Sequence, residues 1–402
     1  MSVDKPKLTL LWHSVVPWVR SGYGHVTNMI LSRLVKYGYR CIMSAYYGIE
    51  PGGIINYNGI TTVPSKEGPF GIFSAQKHAQ RFNTDIQFLF TDWWAFSKFP
   101  EIMKFPCAYS PMDHIGYPEE IINFTKKYRV LVSLCKFQQE ELKKRWGIDS
   151  YMVYHGVETN KFKPLDKLQC KRRINCEDKF VFGTVAANSD KEDRKSHAPS
   201  MKAMRHFLDQ NPDIEKDVVW IYHSNPRDPR GMPLSNICHK FKLDNIIKFM
   251  DPNMSTLMLS TEDLVILMNA FDAHILNSKR EGYGLPIMET QSCGVPNMCH
   301  NFSSMPELVK GHGWLVKSLG TGLNLTTTPI NAETATPDVY DIADKLERVF
   351  FRDKEREKYA KASREFALKF DWDKIVTEGW IPVLEDIQEM IRPKSLEERR
   401  LL

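Results

Sequence analysis

Ser278-Lys279-Arg280-Glu281-Gly282-Tyr283-Gly284-Leu285-Pro286-Ile287-Met288-Glu289-Thr290-Gln291-Ser292-Cys293-Gly294-Val295-Pro296 is the stretch on which the fold turns. The run His274 to Asn277 before it reads as a strand. Two glycines then cross a turn, Pro286 suits the first turn of a helix, and Gly294 closes that helix before a strand at Val295 to Cys299. Strand, turn, helix and strand in this order make one unit of a parallel sheet. At the carboxyl edge of such a sheet, a loop and helix start expose backbone N–H groups, which is where open α/β sheets bind anions; a diphosphate is the natural guest. Glu289, in the opening turns, can accept two hydrogen bonds from a vicinal diol such as a ribose. Glu281, on the flexible side, can meet another hydroxylated group. A plainer reading stays open: Glu289 favours the helix dipole and Glu281 is a surface loop residue.

The same alternation runs through the chain. Leu8 to Val16 is an apolar run stopped by Pro17, and Val26, Met29, Ile30 and Leu34 follow on helical spacing, with Ser21-Gly22-Tyr23-Gly24 between strand and helix. Further strands are expected at 86–90, 129–133 and 151–154, and a helix at Lys136 to Trp146 closed by Gly147. Between Asn160 and Asp178 periodicity fails in a charged stretch with Pro164 and the Lys171, Arg172, Arg173 cluster, which is the expected linker. Strands resume at 180–185, 218–223 and 246–250, with helices at 200–208, 253–260 and 287–293. Near the end, Val383, Leu384, Ile387, Met390 and Ile391 lie on one helical face, which predicts a helix packed onto the body. The expected division is 1–170, 171–375 and a helical segment 376–402 that bridges the halves or packs on the first.

With 42% hydrophobic and 26% charged residues among 402, the chain can bury a sizeable core and is neither disordered nor fibrous. The 54 Lys plus Arg against 49 Asp plus Glu leave a balance too small to argue for nucleic acid. Cys41, Cys107, Cys135, Cys170, Cys176, Cys238, Cys293 and Cys299 form neither a dense disulfide framework nor a CxxC pair, which favours a reducing compartment. No signal-peptide pattern and no run of about 18 apolar residues is present, so a cytoplasmic protein without a transmembrane segment is expected.

Other candidate chemistry is sparser. Gly22 and Gly24 let a backbone approach a ligand, although a tight turn explains them equally, and no P-loop lysine follows. Asp92 with Trp93 and Trp94, and Asp113-His114, put polar groups after apolar segments; His114 can donate to a substrate hydroxyl or leaving group, or can be an ordinary histidine. Arg194-Lys195 can compensate a departing diphosphate, or can be a solvated loop. Trp93, Trp94 and Trp146 could stack on sugar. His223, His239, His274 and His312 lack ligand spacing and no Asp-x-Asp occurs, so no required metal is expected. No GxSxG elbow supports esterase chemistry.

Glu281 through Pro296 resembles the Glu-x7-Glu motif of the retaining glycosyltransferases of family 4, which have the two-domain GT-B fold. Tyr154-His155-Gly156-Val157-Glu158-Thr159-Asn160-Lys161-Phe162-Lys163-Pro164 is similar to that family's segment before the interdomain linker. Met305-Pro306-Glu307-Leu308-Val309, with Gly311 and Gly313, resembles its next motif. The resemblance covers nearly all of the second half and the first half more loosely.

It implies an α/β protein of two Rossmann-like domains facing across a deep cleft, the second holding a nucleotide-sugar, with UDP- or GDP-sugars the expected donors and no tightly bound cofactor. Glu289 would hold the ribose, Glu281 the transferred sugar, and the turn Gly282, Tyr283, Gly284 and Leu285 the sugar or phosphate through its backbone. Arg194 and Lys195 fit the basic site for the departing diphosphate, with Asn188 or Arg194 at the family's preceding arginine. Gly22 and Gly24 would face the diphosphate and His114 the reacting centre. Transfer would go to a carbohydrate or small hydroxylated acceptor, chosen by variable loops such as 52–73. The rivals are a nucleotide-sugar epimerase, a phosphorylase-like enzyme, and a noncatalytic nucleotide-sugar binding protein.

Overall fold

The computed structural model describes residues 7–250, 259–320 and 325–391. Two parallel sheets organise it. The first contains β1 (Thr9–Val15), β2 (Arg40–Tyr47), β3 (Ile55–Tyr57), β4 (Ile60–Pro64), β5 (Ile86–Leu89), β6 (Pro106–Ala108), β7 (Val130–Ser133) and β8 (Tyr151–Met152), in the order β3-β4-β2-β1-β5-β6-β7-β8. Only the β3–β4 hairpin is antiparallel. β1 lies between β2 and β5 and is buried along nearly its whole length, the reason for its unbroken apolar run.

The second sheet contains β9 (Phe180–Val185), β10 (Val218–His223), β11 (Ile247–Phe249), β12 (Ala273–Leu276), β13 (Asn297–His300) and β14 (Trp314–Val316), in the order β11-β10-β9-β12-β13-β14, all parallel. A small antiparallel ribbon, β15 (Leu325–Thr327) with β16 (Glu333–Ala335), follows. This is the GT-B architecture, in which the carboxyl edges of two Rossmann-like sheets face each other.

Contacts across the cleft fix that facing. Ile115 and Glu333 exchange backbone hydrogen bonds of 3.0 and 2.8 Å. A methyl group added to Gly282 would meet Pro111 Cβ at 2.5 Å, so only glycine lets these two loops touch. The chain end returns to the first sheet: Trp372, Val376, Trp380, Val383, Leu384 and Ile387 join the core built on β1 and β5. The Trp380 ring lies 4.8 Å from Tyr109 and 5.6 Å from Trp12.

Several sequence expectations are corrected. Residues 160–178, the expected linker, hold a short helix that the failed periodicity did not predict: Asp166 caps Lys167–Arg173, and Lys171 pairs with Asp272 at 2.7 Å. Segment 52–73 is not one loop but contains β3 and β4. Met390 does not join the buried face and is 56% exposed. Most of the helix expected at 253–260, and residues 392–402, lie outside the described residues; a helix missed from sequence, Thr261–Asn269, is capped by Ser260. No described helix is long and apolar enough to cross a membrane, and the eight cysteines are free and buried.

Candidate functional site

The window 278–296 leaves β12, crosses a turn and enters the helix Leu285–Ser292, with Gly284 at its N-cap in the left-handed region (φ 108°) and Pro286 in its first turn. Glu281 is not on a flexible rim: it is 7% exposed. Ser278 Oγ donates to its carboxylate at 2.5 Å, Lys195 Nζ donates to Oε1, and Arg194 Nη1 stands 3.5 Å from Oε2. Burial opposes the charged form, but Lys195 and Arg194 outweigh it and hold the Glu281 carboxyl below its ordinary range. Burial likewise pulls Lys195 down, against the pull of Glu281.

Arg194 and Lys195 are therefore not a solvated loop pair. They lie in a turn whose Asp193 and Ser196 both have positive φ, closed by the Arg194 N–H donating to Asp190 at 2.9 Å. This geometry aims both cations at Glu281, which is 86 residues from Lys195 in sequence.

The turn after Glu281 is held from behind. Ser303 Oγ accepts from the Glu281 N–H at 2.9 Å, and Ser304 Oγ donates to the carbonyls of Glu281 and Tyr283 at 2.9 and 2.7 Å. Among the described residues, the backbone N–H groups of Gly282, Tyr283, Gly284 and Leu285 find no acceptor. Four unpaired donors at a helix start make an electropositive edge suited to an anion. The Tyr283 side chain points the other way, its hydroxyl donating to His155 O at 2.7 Å inside the core, so only its backbone faces the turn.

Glu289 lies one turn into the same helix and has no donor among the described residues. Burial, reinforced by the charge of Glu158, raises its carboxyl to about 7. Glu158 is itself paired with Lys161 at 2.8 Å. Glu307 serves elsewhere: its carboxylate accepts from the N–H groups of Lys136 and Phe137, capping the helix Lys136–Trp146 across the domain boundary.

The first domain faces this cluster with Asp113 and His114. His114 Nδ1 is 2.5 Å from Asp113 Oδ1, while its Nε2 is buried with no partner among the described residues. Burial would raise the Asp113 carboxyl, but His114, Arg280 and Arg194 together bring it down to about 2. Asp92, which accepts from Tyr23 Oη at 2.8 Å, is raised by burial and feels Asp113, Arg194 and His114.

Arg280 was missed from sequence. It is 8% exposed and joins Asp113 Oδ2 at 3.6 Å to Glu192 at 3.2 Å, tying the histidine loop to the second domain. As a lone arginine in a polar loop it gave no signal; the same holds for Ser303 and Ser304.

Several sequence candidates are placed differently from expectation. Asn188 spends its amide on its own domain, donating to Asn225 O and Met232 O and accepting from the Met232 N–H, which leaves nothing for a phosphate. Gly22 and Gly24 are not in a loop but in the first turn of the helix Gly22–Lys36, capped by Ser21. At Gly24 an added methyl would fall 2.1 Å from Val19 O, so this glycine serves close packing. At Gly22 it would meet only Leu285 Cδ1, 3.7 Å away across the cleft. Trp93 and Trp146 stack on each other at 5.8 Å, and of the three tryptophans considered only Trp94 is exposed. Among the described residues no group of His, Cys, Asp or Glu is placed to hold a metal ion.

Comparison with known proteins gives three findings. Residues 239–366, a stretch that includes the site helix, match the family described as glycosyl transferases group 1. A D-inositol 3-phosphate glycosyltransferase of Saccharomonospora viridis is 22% identical over 252 residues, covering 61% of this chain and 52% of that protein; the chain thus spans about half the length of this curated relative. Among solved structures, sucrose-phosphate synthase from Thermosynechococcus elongatus superposes with a TM-score of 0.75 at 14% identity, covering 95% of this chain and all (100%) of that one. Anabaena Alr3699/HepE in complex with UDP and glucose gives 0.69 at 14% identity, with the same coverage of both chains (95% and 100%).

Proposed function

We propose that this chain is a retaining glycosyltransferase that moves a sugar from a nucleoside-diphosphate sugar to a hydroxyl of a glycan or another small hydroxylated acceptor. One arrangement carries the reading: the unpaired N–H groups of 282–285 lead into the helix that bears the unpaired carboxylate of Glu289, Lys195 and Arg194 pair with Glu281 just before that turn, and Arg280 beside it meets Asp113, the neighbour of His114 with its unpartnered Nε2. That is the order of a nucleotide-sugar, with ribose at Glu289, diphosphate at the helix start and cations, and sugar between Glu281 and His114. The UDP of Anabaena HepE, bound in the same fold, makes UDP-sugars the first donors to try.

In the proposed reaction the acceptor oxygen bonds to the anomeric carbon on the face from which the diphosphate departs. The bond from that carbon to the phosphate oxygen breaks, and the acceptor proton passes to the departing phosphate. Negative charge grows on the phosphate as the bond breaks, so Lys195, Arg194 and the turn N–H groups stabilise the transition state more than the bound donor. Glu281 keeps the two cations ordered until the diphosphate arrives. His114, oriented through Nδ1 by Asp113, offers Nε2 to a sugar hydroxyl.

Mass spectrometry and proton NMR of the products from UDP-, GDP-, ADP- and dTDP-sugars, first in water and then with glycan acceptors, test the proposal, the first reading transfer and the second anomeric configuration and epimerisation. Release of a nucleoside diphosphate with a product of unchanged anomeric configuration is expected. Donors left intact throughout, or isomerised without transfer, would reject it.

A further inference from the structure

β4 ends at Pro64 on the carboxyl edge of the first sheet, so the loop 65–71 opens on the cleft side. Inside it Phe70 has φ 50° and ψ 30°, the left-handed region, and its ring is 54% exposed. For a residue with a Cβ that backbone is strained, and an exposed ring returns little of the cost. Buried and half-buried polar side chains hold the conformation. His13 Nε2 lies 3.0 Å from Phe70 O, and Ser65 donates to Gly71 O at 2.6 Å. Ser44 Oγ joins Ser65 Oγ, at 3.1 Å, to His78 Nδ1, at 2.9 Å. None of these four side chains has a part in the donor site.

The ring they present has a definite neighbourhood. It lies 5.1 Å from Phe96 and edge-on to Tyr46 at 6.0 Å. The Tyr46 hydroxyl meets Thr91 Oγ1 at 2.8 Å, and the next residue, Asp92, is within electrostatic reach of Arg194 and His114. An aromatic face thus continues into hydroxyl and carboxylate groups that lead to the proposed reaction centre. A pyranose has that duality, an apolar C–H face beside hydroxyls, whereas an alkyl chain would leave Tyr46, Thr91 and Asp92 facing hydrocarbon.

We propose that Phe70 is a stacking platform for a pyranose ring of the acceptor. The proposal rests on the transferase reading and names the chemistry of its acceptor side: a glycan or glycoside whose ring lies on Phe70 while its reacting hydroxyl points toward Asp92 and His114.

The test is saturation-transfer NMR on the full chain with methyl α-glycosides of glucose, mannose, galactose and N-acetylglucosamine, and with decyl phosphate as the alkyl probe. At least one glycoside should bind, with saturation strongest on its ring C–H protons. Phe70→Gly removes the ring and the strain together, so it should weaken that glycoside roughly fivefold to tenfold without lowering the melting temperature. Phe70→Leu, which keeps apolar bulk, should weaken it as much, and Phe70→Trp should retain it. Unchanged binding in Phe70→Gly and Phe70→Leu, no glycoside binding by the wild type, or binding of decyl phosphate alone would each overturn the proposal. Binding of UDP and GDP to the wild-type chain, followed by calorimetry, tests the transferase reading separately.

Discussion

Lys195 and Glu281 form a buried ion pair between two loops at the carboxyl edge of the second sheet, with Arg194 as a second cation on the same carboxylate. The two charges hold each other where a diphosphate is proposed to bind, so substitution of either has two separable effects.

Lys195→Ala should lower kcat by roughly 10²–10³-fold, the scale of losing one preorganised donor to a developing anion. It also leaves the Glu281 charge buried beside one fewer cation, at a stability cost of about 3 kcal/mol. Lys195→Met combined with Glu281→Gln should recover stability and not turnover. Urea unfolding and steady-state rates on the three proteins check this; recovered turnover in the double variant would remove Lys195 from the chemistry.

The Glu289 carboxyl, raised to about 7 by burial and by Glu158, must be ionised to accept both hydroxyls of a ribose. Affinity for UDP-glucose, whose diphosphate does not titrate in this range, should therefore rise roughly tenfold from pH 6 to pH 8 and be flat in Glu289→Gln. Stability runs the other way. A carboxyl raised from its ordinary 4.5 disfavours the folded state once the pH passes that value, so Glu289→Gln should raise the melting temperature at pH 8 and leave it unchanged at pH 4. Calorimetry across pH measures both.

Asp113→Asn keeps the shape of the histidine loop but removes the carboxylate that orients His114 Nδ1. Turnover should fall about tenfold, the rate equivalent of one hydrogen bond of about 1.4 kcal/mol, with little change in donor KM. A rise in donor KM at unchanged kcat would place this pair outside the reaction step.

The two glycines of the first helix should behave differently. Gly24→Ala forces a methyl against Val19 O and should cost about 2 kcal/mol or more, whereas Gly22→Ala has room beside Leu285 and should be neutral or slightly stabilising. Thermal unfolding of the pair separates a packing glycine from one that borders the cleft.

What the sequence disclosed follows from which signals are local. β1, β9 and β10 are buried on both faces and so read as continuous apolar runs, and the helix Leu285–Ser292 announces itself through Pro286 and Gly294. β2 was missed because its run begins at Arg40 and is diluted by Ser44 and Ala45, residues whose strand character comes from pairing with β1 and β4. The site was legible where chemistry lies within one turn, as from Glu281 to Glu289. It was not legible where a partner is distant: Arg280 matters through Asp113, and the Asn188 amide is consumed by Asn225 and Met232, contacts that no spacing encodes.

The backbone N–H groups of Gly282, Tyr283, Gly284 and Leu285 are the center of the account, and their hydrogen exchange with and without nucleotide measures them directly. With UDP or GDP at saturation, exchange of the peptide spanning 281–288 should slow markedly. Unchanged exchange in that peptide while nucleotide binds, with protection arising elsewhere, would contradict the placement of the diphosphate at this turn.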